Sequence, residues 1–175
     1  IEGTQADICA ELTREFAAER SKWKMTICED GLVVRFTNDR FFQAGQSDLT
    51  TAFKNILSGF YPRFKSILWN YKKDVAELRI EGHASSEANI PGGKLEKYLY
   101  NTDLSQRRSY QVMRYVMTLP EVRSERDYLA WSYERLTAHG MSSSVPILVN
   151  GIEDRVSSRR VEFRIKTKAQ DKLLD

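Results

Sequence analysis

Apolar positions along this chain follow two repeats. Between residues 6 and 24, Ile8, Leu12 and Phe16 recur every four residues, with Cys9 and Trp23 near the same face and Glu11, Arg14, Glu15, Glu19 and Arg20 opposite. That spacing predicts an amphipathic helix. Leu49, Phe53, Ile56, Leu57, Phe60, Phe64 and Leu68 form a second stripe. It predicts a helix capped by Ser47 or Asp48 and running to about Trp69, with Pro62 expected to kink or break it. A third helix is expected over residues 98–119. Asn101, Leu104 and Arg108 share one face of it, Val112, Tyr115, Val116 and Leu119 continue its buried side, and Pro120 ends it.

The two-residue repeat marks strands. Val161, Phe163 and Ile165 alternate with Glu162, Arg164 and Lys166 in a final strand over residues 159–167. Residues 25–36 read as a hairpin or long strand around Glu29-Asp30-Gly31. Residues 74–84 do not alternate strictly, which suits a central strand buried on both faces. Residues 135–140 form another strand. Loops are expected at 37–46, 85–93 and 141–158, a short charged helix at 121–131, and a frayed charged tail from Lys168 to Asp175. The order β-α-β-α-β-β implies an α+β fold: a mixed sheet with helices on one face, helix-linked strands parallel and the last strand antiparallel.

Length and charge narrow the reading. A chain of 175 residues is one domain on the usual prior and can bury a core without staples. Here residues 1–24 are expected to form a linker helix and residues 25–175 the domain. The 27 basic and 24 acidic residues interleave to a net charge of +3, which gives no footprint for nucleic acid. No apolar run within these residues reaches the 18 or so of a membrane span, none of them reads as a signal peptide, and the first is Ile1, not Met. A piece of a longer protein is expected, with any membrane anchor upstream. Cys9 and Cys28 are either one disulfide or two small buried hydrophobes.

Catalytic chemistry finds little support. His83 and His139 lack metal-ligand spacing, no Cys-x-x-Cys occurs, and Gly92-Gly93-Lys94 lacks the phosphate-loop spacing. Neither enzyme activity, metal nor cofactor is expected. A strand ending at residues 82–84, a helix starting near Tyr100 and an arginine facing both could instead hold a small anion. Taken alone, Arg108 is more often a surface arginine, or one paired with Glu81 or Glu87.

The order of these residues carries a resemblance. Gly82-His83 follows a strand, Tyr100-Asn101-x-x-Leu104-Ser105-x-x-Arg108 lies on a helix, and Arg135-Leu136-x-x-x-Gly140 and Arg159-Arg160-Val161-Glu162-Phe163 come after. Over roughly residues 30–166 this resembles the OmpA/MotB C-terminal family of peptidoglycan-binding domains. The resemblance implies that Arg108 holds the free carboxylate of diaminopimelate in the wall peptide. It also implies that Asn101 frames the peptide, Leu104 floors the pocket, Tyr100 forms a wall and Arg160 borders it. One departure matters. The family loop usually reads Gly-His-Thr-Asp, and here it reads Gly82-His83-Ala84-Ser85. The acid that would meet the ligand ammonium is missing, so Ser85 offers only a neutral acceptor unless Glu87 swings in.

The layout of linker helix and wall-binding domain resembles flagellar stator B subunits. The divergent loop and the 121–131 insertion are closer to the stator-like B component of Zorya-type anti-phage defence systems. Under this resemblance the chain is the periplasmic domain of an inner-membrane protein, a homodimer, with a membrane-embedded motor partner reached through the missing N-terminal region. The envelope setting favours the Cys9–Cys28 disulfide. The alternatives are a wall tether of an outer-membrane protein or lipoprotein, or an interaction module whose pocket is inactive.

Overall fold

The computed structural model describes residues 3–37 and 40–169; residues 170–175 of the expected tail and Asn38 and Asp39 of the first loop lie outside them. Helix α1 (Gly3–Glu15) places Ile8 and Leu12 in the core, and Phe16 follows them there, all fully buried. The helix stops nine residues short of the predicted end, and residues 16–24 continue as turns. The terminus has a physical cause: Arg63 donates to the Glu15 carbonyl at 2.6 Å and to the Glu15 and Glu19 carboxylates at 2.8 and 3.0 Å. These bonds satisfy a carbonyl left without an intrahelical donor. A Cys9–Cys28 disulfide ties α1 to the first hairpin; closing 19 residues of chain constrains the unfolded state by about 3 kcal/mol.

The hairpin β1 (Met25–Ile27) and β2 (Val33–Thr37) leads to α2 (Thr51–Asn70), then β3 (Val75–His83) and α3 (Lys94–Met117). Two short helices follow, α4 (Pro120–Arg123) and α5 (Arg126–Tyr133), then β4 (Leu136–Gly140). The small hairpin β5 (Leu148–Val149) and β6 (Ile152–Glu153), helix α6 (Arg155–Ser158) and β7 (Arg160–Thr167) complete the described chain. The main sheet has the order β1-β2-β7-β3-β4. β3 and β4 are parallel, and β7 is antiparallel to both β2 and β3. The strands linked by α2 and α3 therefore run the same way, as the sequence order implies.

One face of the sheet carries the core. Phe36 of β2 and Phe163 of β7 meet Phe60 of α2 at ring separations of 4.9 and 5.2 Å, and Phe60 also stacks on Phe64. Fully burying each such ring is worth roughly 1.5–3 kcal/mol. Thr50, not Ser47 or Asp48, caps α2 by accepting from the Phe53 N–H. The helix runs unbroken through Pro62, contrary to expectation, because Phe60, Tyr61 and Phe64 around it are buried and hold both halves in place. The insertion docks on the far end of α2, where the Tyr128 and Tyr61 hydroxyls bond at 2.6 Å.

The ends of β3 and β4 touch the backbone of α3. A Cβ on Gly82 would lie 2.5 Å from the Ser105 carbonyl oxygen, and one on Gly140 would lie 2.4 Å from the Gln106 nitrogen. Only glycine permits that approach. It fixes where the α3 face sits relative to the strand end.

The other sheet face is a lattice of charge. Glu162 is fully buried and accepts from Arg35 Nε at 3.0 Å, Arg164 Nη2 at 2.7 Å and Arg160 Nε. His83 Nε2 bonds Glu81 at 3.0 Å, and Arg79 and Arg164 approach the same carboxylate at 3.3 and 3.6 Å. Burial would raise the Glu162 carboxyl, but Arg160, then His83 and Arg35, outweigh it and hold it at about 2. The same burial lowers the Arg160 guanidinium despite its partner.

Candidate functional site

A cavity of about 910 Å³ opens where β3 ends, β7 begins and α3 crosses them. All six residues singled out above line it: Ser85, Tyr100, Asn101, Leu104, Arg108 and Arg160. Lys97, Tyr100, Asn101, Leu104 and Arg108 follow the helical repeat, so one face of α3 supplies a whole wall. Helix α3 begins at Lys94, four residues earlier than expected, because the Glu96 carboxylate accepts from the Gly93 N–H at 3.0 Å and closes the first turn. The pocket residues therefore lie on the flank of the helix and not at its N-terminus. The dipole contribution expected there falls off within the first turn and does not reach Arg108.

Arg108 is half-buried and lies over the Phe42 ring, 4.6 Å from its centre. Its Nε donates to the Gln46 carbonyl at 2.8 Å and its Nη2 to the Gln43 carbonyl at 3.1 Å. It pairs with neither Glu81 nor Glu87, and no acidic partner exists among the described residues. Burial, and then the nearby Arg107 and Arg159 charges, lower its pKa to about 10 in spite of Tyr100. The group remains a cation, held where a cation is disfavoured. Two of its five N–H donors are engaged, so the Nη1–Nη2 edge keeps one proton on each nitrogen for a bidentate carboxylate.

The strand-end loop is organised from two sides. Asn101 Nδ2 donates to the Ser85 carbonyl at 3.1 Å and the Glu87 carbonyl at 3.4 Å, so its amide braces the loop. Arg159 donates to the Glu87 carboxylate at 2.8 Å and to the Ser85 hydroxyl at 3.4 Å, while Arg155 reaches the other Glu87 oxygen at 3.4 Å. Glu87 lines the cavity with its carboxylate already paired to two arginines. Leu104 is buried at the floor. Arg160 lines the cavity, but its charge faces Glu162 behind the pocket.

The resemblance gives the pocket border to Arg160; Arg159 lines the cavity too and is the half-exposed member of the pair. Lys97 and His83 also line the cavity and were passed over. For Lys97 the signal was its position four residues before Asn101, one turn along the same face.

Among the described residues, no helix is long and apolar enough to cross a membrane. No protein-family model matches the chain. In three dimensions it is similar to a putative MotB-like protein of Desulfovibrio vulgaris (TM-score 0.63, 20% identity, covering 94% of this chain and 95% of that one). It is likewise similar to the cell wall anchor of the T6SS from Pseudomonas aeruginosa (TM-score 0.60, 21% identity, 90% and 97% covered). The periplasmic domain of Helicobacter pylori MotB gives a TM-score of 0.53 at 17% identity, with 86% and 85% covered. These likenesses establish the fold: an OmpA/MotB-like mixed sheet with helices on one face. In sequence the chain is 36% identical over 171 residues to the Zorya protein ZorB of Escherichia coli, a match that spans 97% of this chain and 72% of the relative. With the fold and the sequence in agreement over nearly its whole length, the chain belongs to the ZorB family of Zorya proteins.

Proposed function

We propose that this domain binds the peptide of peptidoglycan and so holds a membrane-embedded, stator-like complex of anti-phage defence against the cell wall. The observation that carries the proposal is Arg108, a half-buried guanidinium in a cavity, with no acidic partner and one fork edge free. A buried cation without its counter-ion is costly, and an incoming carboxylate relieves that cost. The free side-chain carboxylate of a diaminopimelate-type wall peptide has the matching charge and shape. Phe42, Tyr100 and Leu104 supply apolar walls for the stem of such a ligand.

The family name and the names of its structural neighbours support the same direction: a Zorya component, MotB proteins and a cell wall anchor. On this reading the domain lies in the periplasm, acts by binding and not by catalysis, and works as a homodimer. Residues 1–24 lead back to an inner-membrane helix and its ion-driven partner. The packed α1 and its disulfide would then set how rigidly that lead joins the domain.

Sedimentation with purified peptidoglycan tests the core of the proposal. Removing one partner of a desolvated charge pair costs about 2 kcal/mol or more, roughly 30-fold in affinity. Arg108→Ala should therefore stay in the supernatant under conditions that pellet the wild type, with its melting curve confirming the fold. Equal sedimentation of the two proteins would mean that the pocket does not bind the wall, and would leave the domain as an interaction module.

A further inference from the structure

The charges around the cavity do not balance, and the imbalance discriminates between two forms of wall peptide. Arg160 is matched by Glu162 and Arg159 by Glu87. Arg108 and Lys97 have no acidic partner among the described residues. Glu87 is the one carboxylate lining the cavity among the described residues, and both of its oxygens are taken by arginines. An ammonium arriving beside the bound carboxylate would find no free acid. A neutral group in that place would find His83. This ring is nearly fully buried, lines the cavity, and has Nδ1 as a buried atom without a partner. Its Nε2 faces the Glu81 carboxylate at 3.0 Å, so Nδ1 is the ring nitrogen left without a partner. An amide carries both a donor and an acceptor and can meet that nitrogen in either of its forms.

We propose that the pocket selects a carboxylate whose neighbouring amine is acylated, the group found at a cross-link junction of the wall, over the same side chain with a free ammonium. This rests on the wall-binding reading above. Acylation removes the ligand's positive charge, keeps its carboxylate for Arg108 and provides an amide for His83. The second cation has a use as well. Lys97 lies eleven residues before Arg108, about 16 Å along the helix axis. A wall peptide carries a second free carboxylate, on its γ-linked glutamate, toward that end. The selected ligand is therefore an extended, N-acylated diamino-acid peptide with two carboxylates and no ammonium.

Calorimetric titration of the domain with two probes tests this. One is L-Ala-γ-D-Glu-meso-diaminopimelate-D-Ala with its side-chain amine free; the other is the same peptide acetylated on that amine. The acetylated probe should bind at least tenfold more tightly. Ser85→Asp returns an acid to the strand-end loop that lines the cavity, and it should shrink or reverse the preference, with its melting curve confirming the fold. If the free-amine peptide binds equally well or better, the selectivity is refuted while wall binding stands. If neither probe binds, both readings fall together. A wild-type preference that persists unaltered in Ser85→Asp would refute the charge argument and leave only a steric one.

Discussion

The two charged regions of this domain are built on opposite plans. On the far face of the sheet, Glu162 gathers Arg35, Arg160 and Arg164, and Glu81 gathers His83, Arg79 and Arg164. Every cation there meets an acid. In the cavity, Arg108 meets backbone carbonyls and the Phe42 ring but no acid. Matched charges position a structure, whereas an unmatched and desolvated charge keeps binding energy in reserve for something that is not part of the chain. Arg160 belongs to both regions: it forms pocket wall on one side and lattice partner on the other, so the lattice fixes the pocket's back wall.

The contrast is broken most directly by exchanging the effects of substitution. Glu162→Gln leaves two buried guanidinium groups and one half-buried one around a neutral amide and should cost about 3–5 kcal/mol in unfolding free energy, read by urea denaturation. Arg108→Met forfeits two bonds to carbonyls on a rim loop that water can reach, and should cost about 1 kcal/mol. If Arg108→Met proved the more destabilising of the two, Arg108 would be a structural brace and the contrast would vanish.

Acid sharpens the same point with a somewhat smaller effect. Glu162 is held at about 2 against an ordinary value of 4.5. A carboxylate whose folded pKa is depressed contributes fully above its unfolded value, and that contribution disappears as pH falls through the folded value. Glu81 is lowered too: burial raises it, but the His83 hydrogen bond and the Arg164 charge prevail. Stability should therefore fall by about 3 kcal/mol for Glu162 alone between pH 4.5 and 2. Glu162→Gln should flatten that part of the curve. An unchanged slope in the variant would show that other carboxylates carry the acid sensitivity.

How visible these regions were in the sequence follows from how local their causes are. The core stripe of α2 and the alternation of β7 were legible because periodicity is a local signal. The six pocket residues were legible through the family resemblance, carried by four positions on α3 and the strand ends; spacing alone leaves Arg108 a surface arginine. The early start of α3 was obscured because its first turns expose Leu95, Tyr98 and Leu99, so no amphipathic stripe marks them; Gly93 and Glu96 were the available sign. The lattice left no trace. Arg35 and Glu162 are 127 residues apart, and an alternating Glu162-x-Arg164 reads as a solvated face until its neighbours' stems cover it. The end of α1 was hidden for the same reason, because it depends on Arg63, 48 residues away.

The smallest expected effect isolates the cavity. If Arg108 is an unsatisfied cation, a simple carboxylate should stabilise the folded domain by binding there, without any wall peptide. For a dissociation constant on the order of 10 mM, 100 mM acetate contributes about 1.4 kcal/mol, a rise of roughly 3–5 °C in melting temperature. At pH 7 both acetate and Glu162 are ionised, so the lattice stays intact during the comparison. Chloride at equal ionic strength screens the repulsion from Arg107 and Arg159, which lowers the Arg108 pKa, but it cannot form the bidentate pair. The difference between acetate and chloride is thus the measure of the free fork edge, and Arg108→Met should abolish it. An acetate effect that survives in Arg108→Met would place the anion elsewhere. No difference between the salts in the wild type would mean that two backbone carbonyls are enough for this guanidinium, and that the cavity is as satisfied as the lattice behind it.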